Sequence, residues 1–348
     1  MKKKLLFGLC CLGSLLWGTT TAQVYDLPRS TPEAEGVPSK ALITVFDSLM
    51  GSPRTDIHSF VVMRHGKVIS EFYPKPFAIE YKHTMYSCSK TFVSLAVGLA
   101  IDENRLRLTD RVATFFIESL PDSISAGLAE MTVEDLLTMR SGIKPDWEMR
   151  NKCTDWIRTF LAKPVDGAGE KFGYDSMATY MLSAIVQKVT GMTTLDYLKK
   201  KLFKEMHITD IAWELSPEGV NTGGWGLYIQ SESLAKFGQL WLNKGKWNGK
   251  QLISSSWIEQ MSALHVKSNS YGYQIWHCDY PGAVRADGAF GQWVIVVPDK
   301  DMVVVITQCS NASGRYQRGL IWNHIVPQLS DTPLALGNDY KRLQEKQR

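Results

Sequence analysis

The 348-residue chain carries 39 basic and 35 acidic residues, a formal net charge of +4, and 44% of it is hydrophobic. That balance excludes a disordered or low-complexity chain, suits a domain with a sizeable core, and gives no electrostatic case for a nucleic-acid partner.

The chain opens as an export signal. Lys2, Lys3 and Lys4 form a charged start, Leu5 to Trp17 an apolar run, and Thr20-Thr21-Ala22 a small-residue cleavage site before Gln23. Phe7-Gly8-Leu9 is a poor lipid-attachment box for Cys10 or Cys11, so cleavage is expected rather than lipidation. The mature protein is then periplasmic or secreted. Loss of three lysines takes its net charge from +4 to +1. No later stretch is long and apolar enough to span a membrane. Residues 23–348 read as one domain, with an α/β part over about 23–91 and 205–330 and a helical part over about 92–204.

A β-hairpin is expected first. Ser59 to Met63 and Val68 to Tyr73 read as strands around Arg64-His65-Gly66-Lys67. Next comes Met85-Tyr86-Ser87-Cys88-Ser89-Lys90-Thr91-Phe92, where an apolar run to Ile101 begins. That run is too apolar for a surface helix and reads as a buried one. Ser87 and Lys90 are three apart and share a helix face. A buried lysine beside a hydroxyl activates a nucleophile, because desolvation lowers its pKa and frees it to take a proton. As a plain alternative, Ser87 is only a helix-capping serine.

Two more Ser-x-x-Lys matches exist, at Ser141/Lys144 and Ser233/Lys236. The first sits in a loop marked by Gly142 and Pro145. The second lies on an amphipathic helix whose apolar face is Leu234, Phe237, Leu240 and Trp241, with Lys236 beside it as an ordinary solvated charge.

The segment from 92 to about 200 reads as mostly helical. Thr132 caps Val133 to Leu137, and Ala178 to Thr190 closes at Gly191. Tyr174 lies in a glycine-flanked loop before the latter helix and either presents its phenol to a cleft or is a plain loop aromatic. Gly223-Gly224-Trp225-Gly226-Leu227 marks a turn where backbone approaches another group closely. Arg285-Ala286-Asp287-Gly288-Ala289-Phe290-Gly291-Gln292 leads into a second hairpin, Gln292 to Val297 and Met302 to Thr307 around Pro298-Asp299-Lys300-Asp301. A final helix is expected over about Ser313 to Gln328. Strands at both ends with helices between imply a sheet built from both termini and a helical insertion. Cys88, Cys153, Cys278 and Cys309 have no metal-binding spacing, and a Cys278–Cys309 bridge is left open. The seven histidines form no metal-ligand motif, so neither metal nor cofactor is expected.

In this order the segments resemble the serine β-lactamase and penicillin-binding-protein superfamily over about residues 30–325. The likeness is to the class C β-lactamase-related branch with its esterases, D-aminopeptidases and 6-aminohexanoate-dimer hydrolases. Ser87 and Lys90 match its Ser-x-x-Lys motif, and Tyr174-Asp175-Ser176 its Tyr-x-Ser motif. Segments 135–142 and 234–242 also look alike. The third motif departs, with Ala286-Asp287-Gly288 standing where lactamases carry Lys-Thr-Gly.

The resemblance implies an antiparallel sheet with flanking helices and a helical insertion. It further implies an acyl-Ser87 enzyme acting on an ester or amide of a small molecule or short peptide. Lys90 and Tyr174 would share the proton transfer, the lysine cation lowering the phenol. Ser176 would orient the network, and Asp175 would face solvent or cap the next helix. The amides of Ser87 and Ala289 would form the oxyanion hole. Arg285, Asp287, Gly288 and Trp225 are the expected substrate-binding residues. Loss of the lysine and threonine argues for a weak or absent β-lactamase. Asp287 would repel a substrate carboxylate unless Arg285, on the same strand face, neutralises it. Two alternatives are an acyltransferase, with Trp147, Trp156 and Trp225 shielding the site from water, and a slow penicillin-binding-like sensor.

Overall fold

The computed structural model describes residues 27–347. The expected export signal, its cleavage site and the Cys10/Cys11 question lie outside them. Among the described residues no helix is long and apolar enough to cross a membrane.

In chain order the strands are β1 (Thr55–Arg64), β2 (Lys67–Phe72), β3 (Lys82–Thr84), β4 (Ile211–Trp213), β5 (Leu227–Gln230), β6 (Lys246–Trp247), β7 (Lys250–Gln251), β8 (Trp276–His277), β9 (Val284–Gly288), β10 (Gln292–Val297) and β11 (Met302–Ser310). Six of them form the main antiparallel sheet, in the order β2-β1-β11-β10-β9-β8. Both hairpins read from the sequence are present. The first turns at His65 (φ +50°) and Gly66 (φ +74°), a pair of left-handed residues that suits the twist of the flanking strands. The two hairpins join through β1 and β11, which pair from Thr55↔Ser310 to Arg64↔Met302. The sheet is therefore closed by the two ends of the chain.

The strands are apolar on both faces. Along β10, Val294 and Val296 enter one core, while Trp293, Ile295 and Val297 enter the other. A strand covered on both sides needs apolar residues at every position. One face is covered by helices Ser89–Asp102, Ser176–Thr190 and Ser231–Leu242. The other is covered by helix Ser39–Met50 and the winding after β11. That winding spans 314–328 but changes pitch, from α (Gly314–Leu320) to π (Ile321–Ile325) to 3-10 (Val326–Gln328). A further helix, Asn338–Gln347, which the sequence pattern does not announce, buries Leu343 in the same core.

The segment between β3 and β4 holds two long helices, of 14 and 15 residues, and several of four to six. It is mostly helical, as expected, but broken into short pieces. Pro121, Pro145 and Pro164, with Gly142, Gly167 and Gly169 at positive φ, punctuate it with loops. The capping of Val133–Leu137 is a full capping box between Thr132 and Asp135. Helix Ser89–Asp102 is buried from Ser89 to Ala100. At Gly98 even a methyl group would fall 2.2 Å from the Trp257 ring, so the helix lies against that indole.

Candidate active site

Ser87 lies in a single 3-10 turn, Tyr86–Cys88, that runs directly into the buried helix. The preceding Tyr86 has φ +45°, a left-handed conformation that costs an aromatic residue about 1–3 kcal/mol. Such strain is held only where the surroundings fix it. Here Met85 N–H donates to Leu227 O, and Cys88 Sγ donates to Gln292 O at 3.0 Å. Burial pushes the Cys88 thiol up, which leaves it a packing residue rather than a rival nucleophile.

Lys90 is 1% exposed. Its Nζ lies 3.0 Å from Ser87 Oγ, 2.9 Å from Ser176 Oγ and 2.7 Å from Gly224 O. Burial pushes the Lys90 ammonium from the ordinary lysine range down to about 7, with Asp175 opposing the shift. Three neighbours suit both charge states. The cation donates to all three. The free amine donates to Ser176 and Gly224 and turns its lone pair to the Ser87 hydroxyl. The close backbone approach expected at Gly223-Gly224 is thus an approach to Lys90 and to Ser176, whose carbonyl would meet a Gly224 side chain at 2.6 Å.

Tyr174 places its ring 4.9 Å from Lys90 Nζ and 5.5 Å from the Trp276 ring. Burial pushes its phenol well above the ordinary value; the neighbouring Ser87 hydroxyl offsets this only in part, and Asp287 adds to it. The expectation of a phenol lowered by the lysine is therefore corrected. Burial leaves the lysine only about half charged at neutral pH, and the desolvation of the phenol outweighs what that charge could do to lower it. Asp175 is 4% exposed and accepts from Met177 N–H at 2.9 Å. Of its two expected roles it takes the helix cap.

These residues open onto a cleft of about 550 Å³. Ser87 and Tyr174 form one wall, Gly288 and Ala289 the next, and Arg285, Asp287 and Arg318 a third. Gly288 is pressed against the nucleophile turn: a side chain there would meet Met85 O at 2.3 Å and Cys88 N at 3.3 Å. Asp287 does not stand alone. Arg285 Nε lies 2.6 Å from its Oδ2, Trp293 Nε1 donates to its Oδ1 at 3.1 Å, and Arg318 Nη1 is 3.9 Å away. Arg318 stacks over the Trp293 ring at 5.3 Å. Two guanidinium groups against one carboxylate leave this wall net positive. Arg318, Trp276 and Trp293 were not legible as site residues. For Arg318 and Trp276 the only signal is position in the fold; Trp293 follows the 285–292 segment directly, but its sequence position does not tell which face of the strand it takes.

Trp225 is not among the residues lining this cleft. It packs against Trp147 and Trp156, with ring centres 4.7 Å and 5.8 Å away. Trp156 is core at 6% exposure, and Trp147 is 43% exposed. The other Ser-x-x-Lys pairs lie elsewhere. Ser141 Oγ accepts from Ile143 N–H, and Lys144 is exposed. Lys236 corrects the expectation of a solvated charge: it is 3% exposed and donates to Met206 O and His207 O, capping the carbonyls of the preceding helical segment. Cys278 and Cys309 are not bridged; all four described cysteines are free thiols.

Comparison with known proteins places this geometry. The chain is 26% identical over 345 residues to a 6-aminohexanoate-dimer hydrolase of Paenarthrobacter ureafaciens, covering 89% of this chain and 86% of the relative. Its fold matches a penicillin-binding protein homologue from Caulobacter crescentus, with TM-score 0.69, 18% identity, and coverage of 85% of this chain and 98% of the other. It also matches EstCE1, a hydrolase with promiscuous acyltransferase activity, with TM-score 0.67, 17% identity and coverage of 82% and 98%. The Beta-lactamase family model matches residues 43–324. The chain belongs to the Beta-lactamase family, as a hydrolase with the fold shared by serine β-lactamases and penicillin-binding proteins.

Proposed function

We propose that this protein is an exported serine hydrolase that cleaves an ester or amide through an acyl-Ser87 intermediate. The observation that carries the reading is the Lys90 amine, brought down to about 7 by burial and seated 3.0 Å from Ser87 Oγ. A base poised near neutral pH beside a hydroxyl is what nucleophile activation requires. Lys90 takes the Ser87 proton as Oγ attacks the acyl carbonyl. The amides of Ser87 and Ala289 receive the oxyanion. Tyr174, kept protonated, passes its proton to the leaving group and recovers it from the Lys90 ammonium, so both end as they began. Water then attacks the acyl-Ser87, giving its proton to Lys90, which returns it to Ser87 as the acid leaves. Ser176 holds the Lys90 amine in line.

The substrate we infer is an acyclic ester or amide, of a small molecule or short peptide, that carries an anionic group. The support is the Arg285–Asp287–Arg318 wall, which answers the carboxylate of Asp287 twice over. Repulsion of anions by Asp287 is therefore not part of the reading. Ala286 is fully buried, so the strand offers neither the cation nor the hydroxyl of a lactamase, and weak or absent β-lactamase activity follows. Hydrolysis is favoured over acyl transfer because the tryptophan cluster invoked to exclude water stands apart from the cleft.

Labelling with a fluorophosphonate tests the nucleophile. Ser87→Ala should abolish both labelling and turnover, and Ser141→Ala and Ser233→Ala should leave both intact. Full labelling of Ser87→Ala would overturn the proposal.

A further inference from the structure

The turn Ala289-Phe290-Gly291 links β9 to β10 and carries the Ala289 amide. Its backbone is not self-supporting. Phe290 (φ +63°) and Gly291 (φ +91°) both lie in the left-handed region, which an aromatic residue rarely adopts. Within the turn, Gly291 N–H donates to Gly288 O at 3.1 Å. A trans, planar peptide sets N–H opposite to C=O. That bond therefore aims the Ala289 N–H outward from the turn, provided the turn itself does not rock.

What holds it comes from outside. All three turn carbonyls are anchored: Ala289 O by Gln292 Nε2 (3.2 Å), Phe290 O by Ser310 N–H (3.0 Å) and Gly291 O by Gln308 Nε2 (3.1 Å). The two glutamines are locked together, Gln292 Nε2 donating to Gln308 O and Gln308 N–H to Gln292 Oε1. Gln308 then exchanges amide bonds with Gln317 in both directions, at 3.0 and 3.1 Å. Gln317 Nε2 ends on Thr55 Oγ1 (2.8 Å) and Ser310 Oγ (3.1 Å). All three glutamines are 3% exposed or less. Three buried amides beside a sheet of valine and isoleucine are costly unless each is satisfied, and apolar side chains would pack there at lower cost. Their bonds lead to one place, the oxyanion turn.

We propose that Gln292, Gln308 and Gln317 are positioning residues, a relay that fixes the 289–291 turn so that the Ala289 amide stays aimed at the developing oxyanion. The inference rests on the acyl-Ser87 reading, and its test is read only on an enzyme whose turnover Ser87→Ala abolishes.

The test compares Gln308→Met, which keeps the shape and loses the amide, with Ser59→Ala. Ser59 is buried in the same sheet and bonds Thr307 and Ser231, not the turn. Each variant is assayed with p-nitrophenyl butyrate and with phenylboronic acid, whose tetrahedral serine adduct fills the oxyanion hole. Gln308→Met should lose about 10- to 100-fold in kcat with KM within twofold, because complete loss of an oxyanion donor costs about 10²–10³. Its Kd for the boronic acid should rise by the same factor. Ser59→Ala should lower the melting temperature and leave kcat and the boronic acid Kd within twofold. Thr55→Val, at the outer end of the relay, should raise the boronic acid Kd about threefold and serves if Gln308→Met does not fold. A folded Gln308→Met with kcat and boronic acid Kd within twofold of wild type overturns the proposal. So does a loss in Ser59→Ala as large as that in the relay variants.

Discussion

Arg285 Nε sits 2.6 Å from Asp287 Oδ2, so the carboxylate that replaces the lactamase threonine is already answered by a cation two residues away on the same strand face. Burial works against the Arg285 charge, and Asp287 and Cys278 more than restore it, so the arginine stays charged. Arg318 is left as the cation without an equally close carboxylate in the cleft.

Charge selection follows. Half-esters of linear dicarboxylic acids with p-nitrophenol should exceed the uncharged esters of equal length in kcat/KM. Arg318→Leu should cut that preference about tenfold, the worth of one charge-assisted hydrogen bond. Asp287→Asn should raise it a few-fold, since Arg285 and Arg318 lose the carboxylate that now occupies them and are freed for the substrate anion. A preference that Arg318→Leu does not move means the anion binds elsewhere or not at all.

The pH profile carries a definite sign. Lys90 must be neutral to accept a proton, and its value is depressed to about 7. Activity should then be near full above about pH 8, halved near 7, and fall tenfold per pH unit below about 6. Because the Tyr174 phenol is raised, no alkaline loss from it should appear up to pH 9. Lys90→Arg, which stays charged throughout, should remove the activity at every pH. A kcat/KM curve that is flat from pH 5 to 9 assigns the base to another group.

Tyr174 as proton donor to the leaving group separates two substrate types. Nitrophenolate departs unaided, whereas an amine must be protonated. Tyr174→Phe should cost about 10²–10⁴ on an anilide or alkyl amide and far less on the nitrophenyl ester. Equal losses on both would place Tyr174 in activation of Ser87 instead.

Gly288→Ala tests the contact between strand and nucleophile. The added methyl would stand 2.3 Å from Met85 O, a backbone atom that cannot swing aside. The turn and β9 must separate, and kcat should fall more than 100-fold, as expected when an oxyanion donor is lost. A folded Gly288→Ala with near-normal kcat would show that β9 does not form the oxyanion wall.

The sequence was readable wherever chemistry and local pattern coincide. Ser87 and Lys90 are three apart at the mouth of an unbroken apolar run, and both hairpins are strands around turn residues. Gly223-Gly224 announced a close approach without naming what approaches. Reading failed where partners are far apart in sequence. Nothing local says that Arg318 faces Asp287, or that Lys236 meets carbonyls thirty residues earlier. The proton assignment was illegible for the same reason, since burial of Lys90 and Tyr174 is a property of packing, not of spacing. Asp175 was half legible: a carboxylate before a helix reads as a cap, but only the fold decides between cap and solvent.

Pairing of β1 with β11 has a consequence for how the molecule comes into being. The two strands lie near opposite ends of the chain, and Cys88 meets its partner Gln292 across 204 residues. Contacts of such separation form late and slowly. The Tyr86–Cys88 turn and its opposing wall therefore take shape together, and only when nearly all of the polypeptide is present. A growing chain has no assembled reaction centre, so activity is switched on by completion of the fold itself.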